Sequence, residues 1–453
     1  MSSKLKLGEE ILTDLAAIQD QSHRDKMLGD EFDLPRLIGV GNGRTLQVTK
    51  AIDGAITALA VQLKAERPKL VKSITSKDFV SLVRAACGPI LAELDLDRPF
   101  AETGAELVTR VEKAVDEQLA GLPRREHAFG VTLFGDPGVA PFSIGPVRFE
   151  EWDAWLTRKR ADGGLSAITE QRLRKAWAGK KLNKRKPSMA SVQERNILSA
   201  MRGAPYVASV RIEGFASSAG LEAAATAVRL AVTTVALLWP TPSRALEGMR
   251  LRFDPSHHME EAVTFIPGRV VAGGSRLRGT PFGPSLTPDE WANSQAAVKP
   301  VFSAAGDAIA LLTDPDDNPP RVGILRALLQ SLMWFYAGCR ELNDPIAIVN
   351  FTASLDALAS GAQGQGILDV LKARLGWAPD AAFYTDGTTL KQVVEKLYGE
   401  GRSQLVHGTS KRIGYDWAAE RAQAESLAGR ALIACLEFVA ANPNLDKAKA
   451  LRV

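Results

Sequence analysis

Cysteine and histidine are scarce in this sequence, which argues against a disulfide-rich protein and against a cysteine-based zinc protein. The chain has three cysteines and five histidines in 453 residues. Cys87, Cys339 and Cys435 lie far apart, so neither a disulfide framework nor a cysteine-based zinc site is expected. Their apolar or small-residue surroundings predict buried, reduced thiols.

A histidine pair with nearby acids is the strongest candidate for a metal site. His257 and His258 precede Glu260 and Glu261, and imidazole and carboxylate groups are common zinc ligands. Adjacent residues rarely point at one ion, however, and no helical spacing places these four on one face. We therefore expect a polar loop here, and neither a metal nor a cofactor in this protein.

Long apolar runs are missing too. The best candidate, Leu230 to Trp239, has about half of the roughly 20 residues that a membrane-spanning helix needs. The opening stretch MSSKLKLGEEILTDL has no apolar core of the signal-peptide kind. With 45% hydrophobic and 24% charged residues, the composition is that of a folded globular protein. These features predict a cytoplasmic protein without a membrane partner.

A strong overall charge is also missing, because the formal net charge is only +4. Between Arg158 and Lys186, however, the sequence contains eleven basic and two acidic residues. The local charge of this run is +9, which leaves −5 for the rest of the chain. A solvated helix and loop, or a mobile linker, is one interpretation, and contact with an RNA backbone is another. Trp177 adds a single stacking plane. The candidate RNA-binding residues are Arg172, Arg174, Lys175, Lys180, Lys181, Lys184, Arg185 and Lys186.

The apolar pattern divides the chain into three regions. Residues 1–122 have mostly helical periodicity, and the glycines at 39, 41 and 43 indicate a turn because the phosphate-loop spacing is absent. Residues 124–317 mix alternating strand patterns with helices, which predicts an α+β domain of unknown role, such as a sensor. Residues 320–442 follow an Asp- and Pro-rich linker and contain only helical patterns. The predicted fold class is therefore α+β overall, with an all-α bundle at the C-terminus.

The segment TLKQVVEKLYGEGRSQLVHG, residues 389–408, is the candidate functional element. Apolar residues at 390, 393, 394, 397, 405 and 406 predict an amphipathic helix whose buried stripe passes near Gly401. Arg402 and His407 lie on opposite flanks of that stripe, about 140° apart in a regular α-helix. Gly408 indicates a helix end, where imidazolium is favoured by the carbonyl groups of the last turn.

Four pieces of the C-terminal region resemble the HEPN superfamily, and within it the Apea-like HEPN domains of bacterial proteins. They are the helix LLQSLMWFYAGCRELND, the helix FTASLDALAS, the segment TLKQVVEKLYGEGRSQLVHG, and the final helix RAQAESLAGRALIACLEFV. The family hallmark is an arginine, four to six residues, and a histidine, with a small polar residue often after the arginine. Arg402, Ser403 and His407 match this pattern. The second helix carries Asp356 where the family more often has glutamate.

The resemblance implies a metal-independent endoribonuclease that acts as a homodimer, with Arg402 and His407 as catalytic residues. A histidine suits proton transfer near neutral pH, and an arginine suits the charge that develops on phosphorus. Ser403 would hydrogen-bond the imidazole ring, and Asp356 would orient Arg402 from the neighbouring helix. The angle between Arg402 and His407 favours a site shared by two copies. A purely structural role for the pair, in capping and ion-pair contacts to Asp356 or Glu400, is the alternative.

The expected biological role is that of a bacterial defence or stress effector, a toxin that degrades RNA after the N-terminal region senses a trigger such as phage infection. The main alternative is a non-catalytic HEPN dimerisation module in a nucleic-acid- or protein-binding protein. In that case binding would depend on the basic run and be indifferent to His407. Nucleotidyl transfer is less favoured, because no paired-aspartate strand motif is visible.

Overall fold

The structure is a computed structural model that describes residues 3–19, 36–41, 43–136, 138–201, 203–254, 258–278, 283–316, 319–412 and 414–453. The described residues form a mixed α+β fold that is about 61% helical, with fifteen helices and small sheets, as the sequence predicts at this level. By packing, the chain divides into two compact units. The first contains the described residues of Met1–Arg125, Ile212–Ala223 and Asp314–Asp317, and the second contains the others. The predicted division into residues 1–122, 124–317 and 320–442 stays a prediction about independently folding domains.

Four helices and a hairpin form most of the first unit. Their apolar faces enclose a core that includes Ile11, Leu59, Phe79 and Leu107. The elements are α1 (Ser3–Gln19), β1 (Arg36–Gly41), β2 (Arg44–Val48), α2 (Lys50–Ala65), α3 (Ser76–Leu91) and α4 (Phe100–Ala120). Of the glycines at 39, 41 and 43, only Gly43 lies in a turn, whereas Gly39 and Gly41 belong to β1.

Two details of the first unit follow from local contacts. Thr75 is the N-cap of α3, because its hydroxyl accepts a hydrogen bond from the Asp78 amide. Gly88 lies inside α3 because the hairpin crosses there. A Cβ atom at that position would lie 2.1 Å from the Gly39 carbonyl oxygen.

A five-stranded sheet lies at the centre of the predicted α+β region, in the second unit. Its strand order is β4-β5-β6-β3-β7, and the pairs β4–β5, β5–β6 and β3–β7 are antiparallel. The strands are β3 (Arg125–Thr132), β4 (Phe142–Ile144), β5 (Val147–Glu151), β6 (Tyr206–Ile212) and β7 (Arg250–Leu251). The strands lie within residues 124–317, where the sequence predicts strands mixed with helices.

Three helices connect β5 to β6 and contain the basic run. They are α5 (Trp152–Ala161), α6 (Ala167–Trp177) and α7 (Met189–Met201). Within the basic run α6 ends at Trp177, and residues 178–188 form an irregular connection. Further along are the alanine-rich helix α8 (Ser217–Ala236) and α9 (Pro242–Gly248).

A two-stranded hairpin replaces the polar loop that was expected around His258. Its strands are β8 (His258–Ile266) and β9 (Arg269–Arg278), so Glu260 and Glu261 lie in a strand. His257 lies outside the described residues. The loop prediction was wrong because this strand is defined by its pairing with β9, which an apolar pattern in β8 alone does not reveal.

The C-terminal helices match the sequence pattern closely. After α10 (Pro288–Thr313), the structure has α11 (Val322–Arg340), α12 (Asp344–Leu358), α13 (Gln363–Leu375), α14 (Leu390–Tyr398) and α15 (Ala418–Ala441). In the same unit α10 approaches β4 so closely that Gly145 and Gly306 leave no room for side chains. Glu425 on α15 accepts hydrogen bonds from the amide and hydroxyl of Ser243. Cys87, Cys339 and Cys435 are buried and free, as predicted.

Among the residues that the structure describes, three helices are long and apolar enough to cross a membrane by length and composition: Ser217–Ala236, Pro288–Thr313 and Val322–Arg340. Their most apolar windows are buried within the protein to 72%, 44% and 56%. Isolated polar residues interrupt these helices, so no long unbroken apolar run marks them in the sequence. Much of their apolar surface packs inside the fold.

Candidate functional site

The helix that precedes the candidate pair is fixed at its start and along one face. Thr389 and Gln392 form a capping box, in which each side chain accepts a hydrogen bond from the other residue's amide. Leu390, Val393, Val394 and Leu397 are buried, so most of the predicted apolar stripe is confirmed. Val406 is an exception at 61% exposure.

The helix changes its winding just before the candidate pair. Residues Gly399–Gln404, here called the π segment, form a π-helix, a form that often occurs at functional sites. Gly401 is buried against α12, and a Cβ atom there would lie 2.7 Å from Cγ2 of Ile348. Gly399 has open space around the same position. Of these two glycines, only Gly401 is therefore required by close packing.

The π segment also changes the angular relation between Arg402 and His407. The Leu405 amide bonds to the Arg402 carbonyl, whereas the His407 amide bonds to the Ser403 carbonyl. The first of these hydrogen bonds spans three residues and the second spans four, so the backbone here is not a regular α-helix. The angle of about 140°, which was calculated for a regular α-helix, therefore does not apply. The angle between the two side chains is therefore no longer an argument for a shared site.

The Arg402 guanidinium is held on one side. Its Nη1 atom lies 3.1 Å from Asp356 Oδ2 and donates to the Tyr398 hydroxyl at 2.8 Å. The Arg402 side chain is 29% exposed, so it reaches solvent while bound. Within the described residues, Nη2 and Nε of Arg402 have no protein partner. The two donor groups stay available to an anion such as phosphate.

Asp356 reaches Arg402 from the neighbouring helix, at the position named from the sequence. Its Oδ1 atom accepts the Gln363 amide at 3.0 Å, so the backbone after α12 fixes the carboxylate while Oδ2 faces the arginine. Tyr398 was missed by the sequence analysis. Its position four residues before Arg402 is a spacing at which helical side chains meet, and this spacing was the available signal.

His407 lies at the helix end and is exposed. Gly408 has a φ of +69°, and the Thr409 amide bonds to the Gln404 carbonyl at 2.9 Å, the hydrogen-bond pattern of a glycine C-cap. The predicted helix stop is therefore confirmed. Within the described part of the chain, the His407 imidazole has no hydrogen-bond partner, and the predicted bond from Ser403 to the ring is not formed.

Charged residues connect the π segment to the start of α15. Arg412 lies 3.6 Å from Glu400 and 3.0 Å from Glu420, and Lys396 lies 3.1 Å from Glu420. Burial acts to raise the pKa of Glu420, but its backbone hydrogen bond and the two cations outweigh burial and lower that pKa. Glu400 is thus paired with Arg412, and Arg402 with Asp356.

The structure divides the basic run into two groups. Arg172 and Arg185 both bind Glu194, at 2.7 Å and 3.2 Å, and Arg174 pairs with Glu170 and Asp153. The hydrogen bond from Arg172 is the main cause of the lowered pKa of Glu194, and Arg185 adds to it. These three arginines therefore hold α5, α6 and α7 together. The sequence alone could not distinguish this structural role from contact with RNA.

The lysines that follow Arg174 differ from these arginines. Five lysines are exposed, and within the described residues none of them has an ion-pair partner: Lys175, Lys180, Lys181, Lys184 and Lys186. Lys159, earlier in the run, pairs with Glu126 at 2.7 Å. An exposed, unpaired ammonium group is available to a polyanion. Of the eight residues predicted to bind RNA, these five therefore have a charged group that is available for contact with RNA.

The side chains present offer acid–base and cationic chemistry at Arg402 and His407. Among the described residues, no group of three or more histidine, cysteine, aspartate or glutamate side chains is placed to hold a metal ion. The comparisons with known proteins give no further guidance: no family model, curated protein or solved structure matches this chain.

Proposed function

We propose that this chain is a metal-independent endoribonuclease of the HEPN type, with Arg402 and His407 as its catalytic pair. The supporting observation is the divided role of the Arg402 guanidinium. Asp356 and Tyr398 bind its Nη1 atom, while Nη2 and Nε are left to solvent within the described residues. A guanidinium group whose Nη1 atom is held in place, while Nη2 and Nε are free to donate, is preorganised to bind a phosphate group.

The proposed reaction uses the 2′-hydroxyl of RNA as the nucleophile. A bond forms between the 2′-oxygen and phosphorus, and the bond from phosphorus to the 5′-oxygen breaks. The products are a 2′,3′-cyclic phosphate and a 5′-hydroxyl. The His407 imidazole takes the proton of the 2′-hydroxyl, and Arg402 binds the phosphoryl oxygens as negative charge builds up.

The departing 5′-oxygen needs a proton from a second acid, and we assign that role to the imidazole of a second copy in a homodimer. Exposed Val406, beside His407, provides apolar surface at this end of the helix. Two-fold symmetry would place the same surface of both copies together. Dimerisation is in this way part of the proposed mechanism, without a metal or cofactor.

By family analogy, we assign the enzyme to the bacterial cytoplasm as a defence or stress effector. In this proposal residues 1–317 sense the trigger, and the C-terminal helices degrade RNA. The analogy is a weaker support than the site, because it rests on the sequence motif alone.

Cleavage of cellular RNA in the presence of a chelator tests the proposal. His407→Asn should reduce the rate by about 10²- to 10⁴-fold, the usual contribution of a general acid or base. Arg402→Lys keeps the charge but removes the fork, and it should also reduce the rate strongly. Lys411→Ala is the matched control, since it removes an exposed charge from the adjacent loop.

The ends of the products give a second readout. New 2′,3′-cyclic phosphate ends should accumulate with the wild type and Lys411→Ala, and not with the other two variants. Equal cleavage by wild type, His407→Asn and Arg402→Lys would refute the proposed function. Loss of cleavage on adding the chelator would refute its metal independence.

The second candidate function is a non-catalytic HEPN dimerisation module that binds nucleic acid or protein. The observation that favours it is the set of five exposed lysines without ion-pair partners in the described chain. It predicts salt-dependent RNA binding that is weakened by neutralising Lys180, Lys181 and Lys184 and is unchanged in His407→Asn. Binding without any cleavage would favour this alternative.

A further inference from the structure

Three tryptophans of the second unit form a stack next to the basic run. Trp152 lies between Trp155, at 5.6 Å between ring centroids, and Trp177, at 4.1 Å with an interplanar angle of 15°. Trp152 and Trp155 are buried in a small hydrophobic cluster, and Trp177 is partly buried at its edge. One face of the Trp177 ring is therefore covered and fixed.

Trp177 also lines a cleft of about 740 Å³. Lys180 and Lys181 line the same cleft, together with Ala176, Gly179, Leu182, Leu198, Gly203 and Pro205. Binding pockets for small ligands span roughly 300–1,000 Å³. The cleft can thus hold a nucleobase with its sugar and phosphate.

Local structure explains why the aromatic ring and the two ammonium groups lie together. Trp177 is the last residue of α6, and the Lys180 amide bonds to the Lys175 carbonyl at 3.0 Å. Gly179 has a φ of +71°, which closes the helix end and turns the chain back immediately. Lys180 and Lys181 follow this turn and line the cleft beside the ring.

The charges of these two lysines are unused within the described protein. Both are exposed and neither has an ion-pair partner, whereas the neighbouring arginines are bound to Glu194, Glu170 and Asp153. A flat aromatic face beside free cations is the combination that binds single-stranded nucleic acid, through stacking of a base and contact with its phosphate.

We propose that the cleft at Trp177 binds one nucleotide of single-stranded RNA. The base stacks on the Trp177 ring where it lines the cleft, and the flanking phosphates contact Lys180 and Lys181. This assignment rests on the proposed function only for the choice of RNA as the natural ligand, because the site is separate from Arg402 and His407.

Fluorescence anisotropy tests the proposal with a labelled oligouridylate of ten nucleotides and an abasic oligomer of equal length and charge. The full-length protein is used in the His407→Asn background, so that cleavage does not interfere. The base-containing oligomer should bind about tenfold more tightly than the abasic one. In Trp177→Leu this difference should disappear, and in Trp177→Phe most of it should remain.

The lysines are tested by matched charge removal. The double variant Lys180→Ala/Lys181→Ala should reduce the slope of log K against log salt by about 1.4, since each lost phosphate contact contributes about 0.7. Lys184→Ala/Lys186→Ala removes the same charge from the same run outside the cleft, and it should change the slope less.

Three outcomes would overturn the proposal: equal binding of the base-containing and abasic oligomers, a base preference that survives in Trp177→Leu, or equal effects of the two lysine pairs. The circular dichroism spectrum of each variant must match the wild type, and Trp177→Phe provides the test if Trp177→Leu fails to fold. Since the assay measures binding, an absence of cleavage would refute the proposed function and leave this inference standing.

Discussion

Replacing Gly401 by alanine would insert a methyl group where the π segment meets α12. The new Cβ atom would lie 2.7 Å from Cγ2 of Ile348, whereas carbon atoms pack favourably at about 3.5–4.0 Å. Ile348 is completely buried, so it cannot move into solvent. The π segment must shift away by up to about 1 Å, at a cost of roughly 1–3 kcal/mol for overpacking.

Gly399 provides a matched control two residues earlier. Its Cβ position is open, and its φ of −71° suits any residue. Alanine there should stabilise the helix by up to about 1 kcal/mol. The two substitutions are thus expected to change the free energy of unfolding in opposite directions, and their effects should differ by roughly 2–3 kcal/mol.

Thermal unfolding followed by circular dichroism compares the two variants under identical conditions. Gly401→Ala should unfold about 1–3 °C below the wild type, and Gly399→Ala at or above it. The same shift would move Arg402 away from Asp356, so RNA cleavage by Gly401→Ala should fall by up to about 10²-fold. Equal melting temperatures for the two variants, or a Gly401→Ala variant as stable as the wild type, would refute this reasoning.

Three further predictions concern charged groups. Asp356→Asn should destabilise the protein by roughly 1–2 kcal/mol and lower cleavage at least tenfold, measured by thermal unfolding and RNA degradation, because Arg402 loses its charged partner. Burial acts to raise the pKa of Glu126, but Lys159 and Arg158 outweigh burial and lower it to about 2. Stability from this carboxylate is therefore complete above about pH 4.5 and is lost as the pH falls towards 2, so Glu126→Gln should flatten acid unfolding curves in that range. Glu194→Gln should lower the melting temperature, since Arg172 and Arg185 lose their shared partner. An unchanged melting temperature would show that these ion pairs contribute nothing measurable.

The helical pattern was sufficient to predict helices in the C-terminal region, because their apolar residues are buried within one unit. The helices α11 to α15 all lie within residues 320–442, where the sequence contains only helical patterns. The helix start at Thr389 and the stop at Gly408 were also readable, since both depend on hydrogen bonds between near neighbours.

The predictions that failed depend on contacts between distant parts of the chain. The sequence could not separate Arg172, Arg174 and Arg185 from the lysines between them, because only the folded helices bring Glu194 and Asp153 to those arginines. The hairpin at Arg36–Val48 and the strand at His258 were likewise missed, since short strands are defined by the partner with which they pair.

The sequence by itself determined the α+β class, the C-terminal helices, and the position of Arg402 and His407 at the end of one of them. It also suggested Asp356 as a partner of Arg402, although it could not measure the contact. Tertiary structure alone decided the π winding at Gly401, the bond from Arg402 to Tyr398, and the tryptophan stack beside Lys180. Helical spacing and helix ends follow from local hydrogen bonds and side-chain period, whereas the direction of a side chain follows from what packs against it.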